Sequence, residues 1–227
     1  MYKEHYNYFM HIQEYLSTLS IWSILLPLFT GFLYFRRLGN DSRIILGIVA
    51  LATIPQLLRA FMMKGSALNI SYNLYTICEV VLFYCLFVNK LFSYSRKRVF
   101  VFSGLLALLC NVCMILVYGL MERFISELVC LNNFIYTVWM LLIILDQYAT
   151  DDWEINPSMP FFWYLLGLLL YAPCTMLIYS LWPYIKRYPD SILSQLWVIQ
   201  YIFNIIMYVL FAAGFLHERN PKITANG

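Results

Sequence analysis

Seven runs of mostly apolar residues fill this chain, at roughly 16–35, 44–63, 69–88, 99–120, 124–145, 160–182 and 192–216. That pattern decides most of what the chain can fold into. About 20 such residues wound as a helix cross the hydrocarbon core of a bilayer. In lipid every backbone donor and acceptor must be paired within the protein, so only helices and closed barrels span. Barrel strands would read as short alternating segments, whereas these runs are continuous. The expected fold is therefore all-α, a bundle of seven transmembrane helices forming one domain over residues 1–227. Composition agrees, with 62% hydrophobic and 12% charged residues, against about 45–50% and about 25% in soluble domains. The connections are too short for a second, soluble domain. A net charge of +3 implies no nucleic-acid partner; the implied partner is the lipid bilayer.

The first residues include Lys3, Glu4, His5 and Glu14 without a small-residue cleavage site, so no removable signal peptide is expected. Tyr2, Tyr6, Phe9 and Met10 suggest an interfacial turn before the first span. Seven spans place the two termini on opposite faces of the bilayer, here called the N-terminal and C-terminal faces. Nine basic residues fall on the C-terminal face: Arg36, Arg37, Arg43, Lys90, Arg96, Lys97, Arg98, Arg219 and Lys222. Six fall on the other: Lys3, Arg59, Lys64, Arg123, Lys186 and Arg187. The excess of Lys and Arg marks the cytoplasmic side, so the N-terminus is expected outside and the C-terminus in the cytoplasm. Asp146, Asp151, Asp152 and Glu154 make the fifth-to-sixth connection acidic, but acidic residues count little in this rule. The six cysteines sit mostly within apolar runs and give no secreted disulfide framework. Pro27, Pro55 and Pro173 lie inside spans, where each removes a backbone donor; they read as ordinary membrane-helix bends or as hinges beside a cavity.

The intramembrane polar residues are unevenly distributed. Counted along each span at about 1.5 Å per residue, Gln56, Tyr72, Asn73, Asn111, Asn132, Asn133 and Gln200 fall in the half nearer the N-terminal face. Arg59 and Glu127 lie shallower still, and Glu79 and Asn204 sit near the midplane. Stretches 80–87, 99–109, 138–144, 161–170 and 205–215, in the other half, are nearly dry. Tyr72, Tyr75, Thr76 and Glu79 follow i, i+3, i+4, i+7 spacing and so share one helix face. Polar side chains in lipid turn towards each other. Two readings result: hydrogen bonds that stitch helices together, or a polar cup open to one face. In the second reading the ligand-binding candidates are Gln56, Tyr72, Asn73, Tyr75, Thr76, Glu79, Asn111, Asn133, Tyr136, Gln200 and Asn204. Glu79 is either a neutral structural acid bonded to a tyrosine hydroxyl or a proton-linked switch or ligand counter-ion. Arg59 and Glu127, matched in depth, are expected to form an ion pair at the rim.

No catalytic constellation emerges, no cofactor is implied, and an enzyme is the less favoured class. His5, His11 and His217 lie outside or at the edge of the spans, which disfavours an intramembrane zinc site or bis-histidine haem. The last span has no lysine for a Schiff base. There is no G-x-S-x-G, nor an embedded serine with a histidine partner. Cys110-Asn111-Val112-Cys113 is a C-x-x-C within the fourth span. It reads either as small apolar filler or as a thiol redox pair.

Tyr75-Thr76, preceded by Asn73, is echoed by Asn133 and Tyr136-Thr137 in the fifth span, as internal repeats of transporters would be. Ile54-Pro55-Gln56 resembles the Pro-Gln pair of seven-helix PQ-loop transporters. In that family the pair recurs in both halves; here the sixth span has Pro173-Cys174 and the first Pro27-Leu28. A second likeness covers more of the chain. Asn73-Leu74-Tyr75 with Glu79, then Tyr136, Phe162-Trp163, Gly167 and Tyr171, then Trp197 and Asn204, resembles a poorly characterised group of bacterial seven-helix integral membrane proteins. That resemblance implies a bacterial inner membrane and, by analogy only, sensor or signalling-partner roles. The expected function is a receptor- or sensor-like subunit that binds a small molecule or partner segment in the polar cup. It would act through a separate protein partner or as a homo-oligomer. A small-solute or proton-coupled transporter is the alternative.

Overall fold

A computed structural model of the protein describes residues 2–61, 65–91, 93–150, 156–185 and 190–218; side chains are described throughout these segments except at 2–10, 94, 150, 182–185 and 190–194. Residues 62–64, Asp151, Asp152, Glu154, Lys186, Arg187, Arg219 and Lys222 lie outside the described residues, as do the side chains of Tyr2, Lys3, Glu4, His5, Tyr6, Phe9 and Met10. The helices are α1 (Tyr2–Ser23), α2 (Leu25–Leu33), α3 (Asn40–Ala60), α4 (Ser66–Phe87), α5 (Tyr94–Tyr118), α6 (Ser126–Thr150), α7 (Pro160–Ile185) and α8 (Asp190–His217). The described residues contain no strand. Among the described residues, seven helical segments are long and apolar enough to cross a membrane, the first being His11–Leu33, made up from α1 and α2 together. The chain is an all-helical, multi-pass membrane protein.

Helix boundaries have local causes. Pro27 has no N–H for the carbonyl of Ser23, and the first span breaks just there, between α1 and α2. Gly119, with φ of 76°, ends α5, and Gly65, with φ of 85°, precedes α4. Both have positive φ, which glycine adopts without the steric cost that a Cβ would bring. Three expectations are corrected. The chain before the first span continues as helix to Tyr2 instead of forming a turn. The second span ends at Ala60, with the Phe61 N–H closing on Leu57 O at 2.9 Å. Asp146 is a helical residue of α6, not a loop residue, and is fully buried against Arg96 at 2.7 Å.

Around the bundle, α1–α2 packs on α3, α3 on α4, α4 on α6, α6 on α7, α7 on α8, and α8 returns to α1 and α2. α5 stands outside this ring, braced on α4 and α6. Its outer face, with Phe102, Leu105, Leu109, Leu116 and Val117, is exposed to what would be lipid.

The C-terminal half of the ring is solid. α3 reaches α7 there, through a 2.7 Å hydrogen bond between Ser42 and Tyr164. Gly31 lets α2 approach Leu46 of α3 and Phe215 of α8. Phe83, Phe87, Phe100, Tyr136 and Trp139 form one buried aromatic cluster with centroids 4.6–6.3 Å apart. Phe161, Tyr164, Phe211 and Phe215 continue it across α7 and α8. Such ring pairs contribute about 0.5–1.5 kcal/mol each beyond simple burial. The rim of this half is tied by charge. Glu218 accepts from the Gly39 N–H at 3.0 Å and from the Ser42 hydroxyl at 2.7 Å, and Lys90 pairs with Asp41 at 2.7 Å while lying over the Phe161 ring.

Candidate ligand cavity

In the N-terminal half the ring is hollow. A cavity of about 620 Å³ runs from Gln13, Leu68, Asn69 and Phe124, near the N-terminal face, to Glu79, Met207 and Tyr208 at mid-depth. The volume lies within the roughly 300–1,000 Å³ of small-molecule sites. α4 contributes the 72, 75, 76, 79 stripe, which the 3.6-residue period turns to one side. α3 contributes Ala52, Pro55, Gln56 and Arg59; α8 contributes Trp197, Gln200, Tyr201 and Asn204. Asn133 of α6 and Tyr171 and Tyr179 of α7 complete the wall.

Glu79 is held at the floor by two hydroxyls. Tyr75 donates to its Oε1 in a short hydrogen bond, and Tyr136 of α6 donates to its Oε2 at 3.3 Å. Among the described residues no Lys or Arg pairs with it. Tyr136 does not face the main cavity; it lines a void of about 20 Å³ just beneath Glu79. The Asn204 amide donates to Ser20 at 2.8 Å and so fastens α8 to α1 along the wall. Thr76 spends its hydroxyl on the Tyr72 carbonyl at 2.8 Å. Gln13, Gln56 and Gln200 line the cavity with other atoms of their side chains, while their carboxamide oxygens are closed off from its open space and, among the described residues, have no hydrogen-bond partner.

The Arg59–Glu127 pair does not form. Glu127 pairs with Arg123, one turn away on its own side of the α5–α6 turn, at 2.8 Å. The Arg59 guanidinium lies instead against the hydroxyls of Tyr72 and Tyr201 inside the cavity. Equal depth does not fix azimuth, and Arg59 points into the ring.

Asn73 and Asn111 are also displaced from the expected site. Asn73 is one position from Tyr72, which rotates it about 100° and buries it against the α5–α6 turn. There its amide donates to Leu120 O at 3.0 Å and Arg123 O at 2.9 Å, and its Oδ1 accepts from the Ile125 N–H at 3.2 Å. Asn111 makes a reciprocal pair with Asn132, at 2.8 and 3.2 Å, between α5 and α6. Both asparagines are structural clamps. Cys110 and Cys113 are free thiols on the same α5, Cys113 on its exposed surface.

Tyr171, Tyr179, Tyr201 and Tyr208 belong to the wall but are not among the ligand-binding candidates named from the sequence. The available signal is depth. Tyr171 and Tyr208 fall well inside their spans, Pro160–Leu181 and Gln195–His217, away from either interface.

Compared with known proteins, the chain matches no family model, no curated protein and no solved structure.

Proposed function

We propose that the protein is a receptor- or sensor-like subunit of a bacterial inner membrane, with the N-terminus outside and the C-terminus in the cytoplasm. A small ligand, or a short segment of a partner, binds in the cavity and shifts the helices around it. A separate protein, or a second copy, reads that shift at the basic C-terminal face. The nine-to-six distribution of Lys and Arg supports the orientation.

One observation carries this reading. The cavity is polar and open-hearted in one half, while the other half is an aromatic plug from Phe83 and Phe87 to Phe211 and Phe215. A binding site accessible from one face suits a receptor. A transporter needs a route through the same plug, which the buried rings and the Ser42–Tyr164 bond oppose. The internal echo between α4 and α6 keeps the transporter as the second reading.

Native mass spectrometry of the full chain in mild detergent tests the proposal. The expected result is a retained small molecule that is lost in Glu79→Ala, together with no solute flux in proteoliposomes. Flux that depends on Glu79 would replace the receptor with a transporter. An empty cavity with a stoichiometric protein companion would move the recognition event to that partner.

A further inference from the structure

Resting on the cavity being a ligand site, we infer that its ligand is an organic monocation, an ammonium group on an apolar or aromatic body, with the charged end seated against Glu79 at the floor. Glu79 is the one acidic side chain on the described wall, half-buried and lining the open space. Both of its side-chain hydrogen bonds come from uncharged hydroxyls, those of Tyr75 and Tyr136, one on each carboxylate oxygen. Among the described residues no Lys or Arg offsets its charge. A carboxylate has about four acceptor positions, so two bonds leave room for a ligand N–H. A charge at this depth in a membrane is costly unless it is paired, and the cavity is the side from which a counter-charge can come.

The surroundings of the carboxylate select an organic cation. Tyr75, Tyr171 and Tyr208 line both the cavity and the small void beneath it, so they and Glu79 together make the floor. Above them Tyr72, Phe124, Tyr179, Trp197 and Tyr201 run in contact along the wall, with successive ring centroids 5.5–6.4 Å apart. Aromatic faces attract ammonium groups, most strongly where water is excluded, and they give an apolar body a surface to lie on. A bare metal ion fits less well. Hard cations gather several oxygen ligands, whereas no second carboxylate joins Glu79 on the described wall, and about 620 Å³ is far more space than one ion fills. The one basic side chain on that wall, Arg59, belongs to the mouth. It stands in the last turn of α3, is exposed, and rests against the hydroxyls of Tyr72 and Tyr201. Glu79 lies about two turns deeper along α4 than Tyr72, so the seat of the cation is set apart from the guanidinium.

The test varies the charge of the ligand at nearly constant shape, so it does not depend on a variant that folds. Binding of phenethylamine, phenethyl alcohol and hydrocinnamate to the purified full chain in mild detergent is measured by isothermal titration calorimetry at neutral pH, against detergent alone. The amine is expected to bind about tenfold more tightly than the alcohol, and hydrocinnamate to bind most weakly. Glu79→Gln, which keeps an acceptor for a tyrosine hydroxyl, should bring the amine down to the level of the alcohol and leave the alcohol unchanged. An advantage of the amine that persists in Glu79→Gln would overturn the seat at Glu79. Equal binding of amine and alcohol in the unmodified protein would overturn the cation assignment while leaving the cavity a ligand site. Tightest binding of hydrocinnamate would overturn it too, and give the selecting role to Arg59. A neutral or anionic molecule retained in native mass spectrometry, with no binding of the amine at millimolar concentration, would overturn the cation assignment and keep the receptor proposal. Binding of the amine together with its flux in proteoliposomes would keep the cation assignment and replace the receptor with a transporter. An empty cavity that binds none of the three probes would remove both.

Discussion

The asparagines show how much one residue's rotation decides. Asn73 and Asn111 look alike in sequence to Asn133, all being polar groups in the same half of the membrane, yet only Asn133 reaches the cavity. Asn111 and Asn132 exchange two hydrogen bonds in a fully buried setting, and each also bonds a backbone carbonyl, Ala107 O and Thr76 O respectively. Interhelical bonds of this kind contribute about 0.6 kcal/mol on average and up to about 1.7 kcal/mol in membranes. A double-mutant cycle of Asn111→Leu and Asn132→Leu, followed by reversible unfolding in mixed micelles, should return a coupling energy near the upper end of that range. Each single change should cost more than half of the double change, because it strands the remaining amide. Additive losses would mean the two side chains act independently. The 72, 75, 76, 79 stripe was readable because it depends only on the helical period. The Arg59 partner was not, because it depends on which helix stands opposite, and that information is tertiary.

At the scale of elements, the α7–α8 seam is set by glycine. A Cβ at Gly167 would touch Phe211, Leu210 and the Met207 carbonyl, and one at Gly214 would collide with the Tyr164 ring. Small residues allow close approach where no hydrophobic force draws helices together in lipid. Tyr164 has little freedom to yield, since its hydroxyl is bonded to Ser42 and its ring lies between Phe211 and Phe215. Gly214→Ala is therefore expected to destabilise the protein by about 1–3 kcal/mol, seen as a lower thermal midpoint in detergent. In a Tyr164→Leu background, itself less stable for loss of the Ser42 bond and the ring contacts, Gly214→Ala should cost less than it does in the unmodified protein, because the ring it strikes is gone. A thermal midpoint unchanged in Gly214→Ala would mean the seam is looser than the contacts imply. The spans themselves were legible as runs of apolar residues. The placement of α5 outside the ring was not, because all seven runs are apolar enough to face lipid and none announces its neighbours.

For the whole molecule, the division into a hollow polar half and a packed aromatic half is the property that separates receptor from transporter. Gln56 and Val49 stand seven residues apart on α3, so they share a face at different depths. Gln56 lines the cavity, whereas Val49 lines the small void beneath its floor and is only 1% exposed. In a background with all six cysteines replaced, Gln56→Cys and Val49→Cys report on the two halves with little change in volume at the deeper site. A membrane-impermeant thiol reagent applied to sealed vesicles should modify position 56 from the N-terminal face only and position 49 from neither face. The same asymmetry should persist when the small molecule retained in native mass spectrometry is added, since a receptor changes helix positions without opening a path. Modification of position 49 from the C-terminal face, appearing only with ligand, would mean that the plug opens. The cavity would then be one end of a transport route, and Glu79 the gate at its floor.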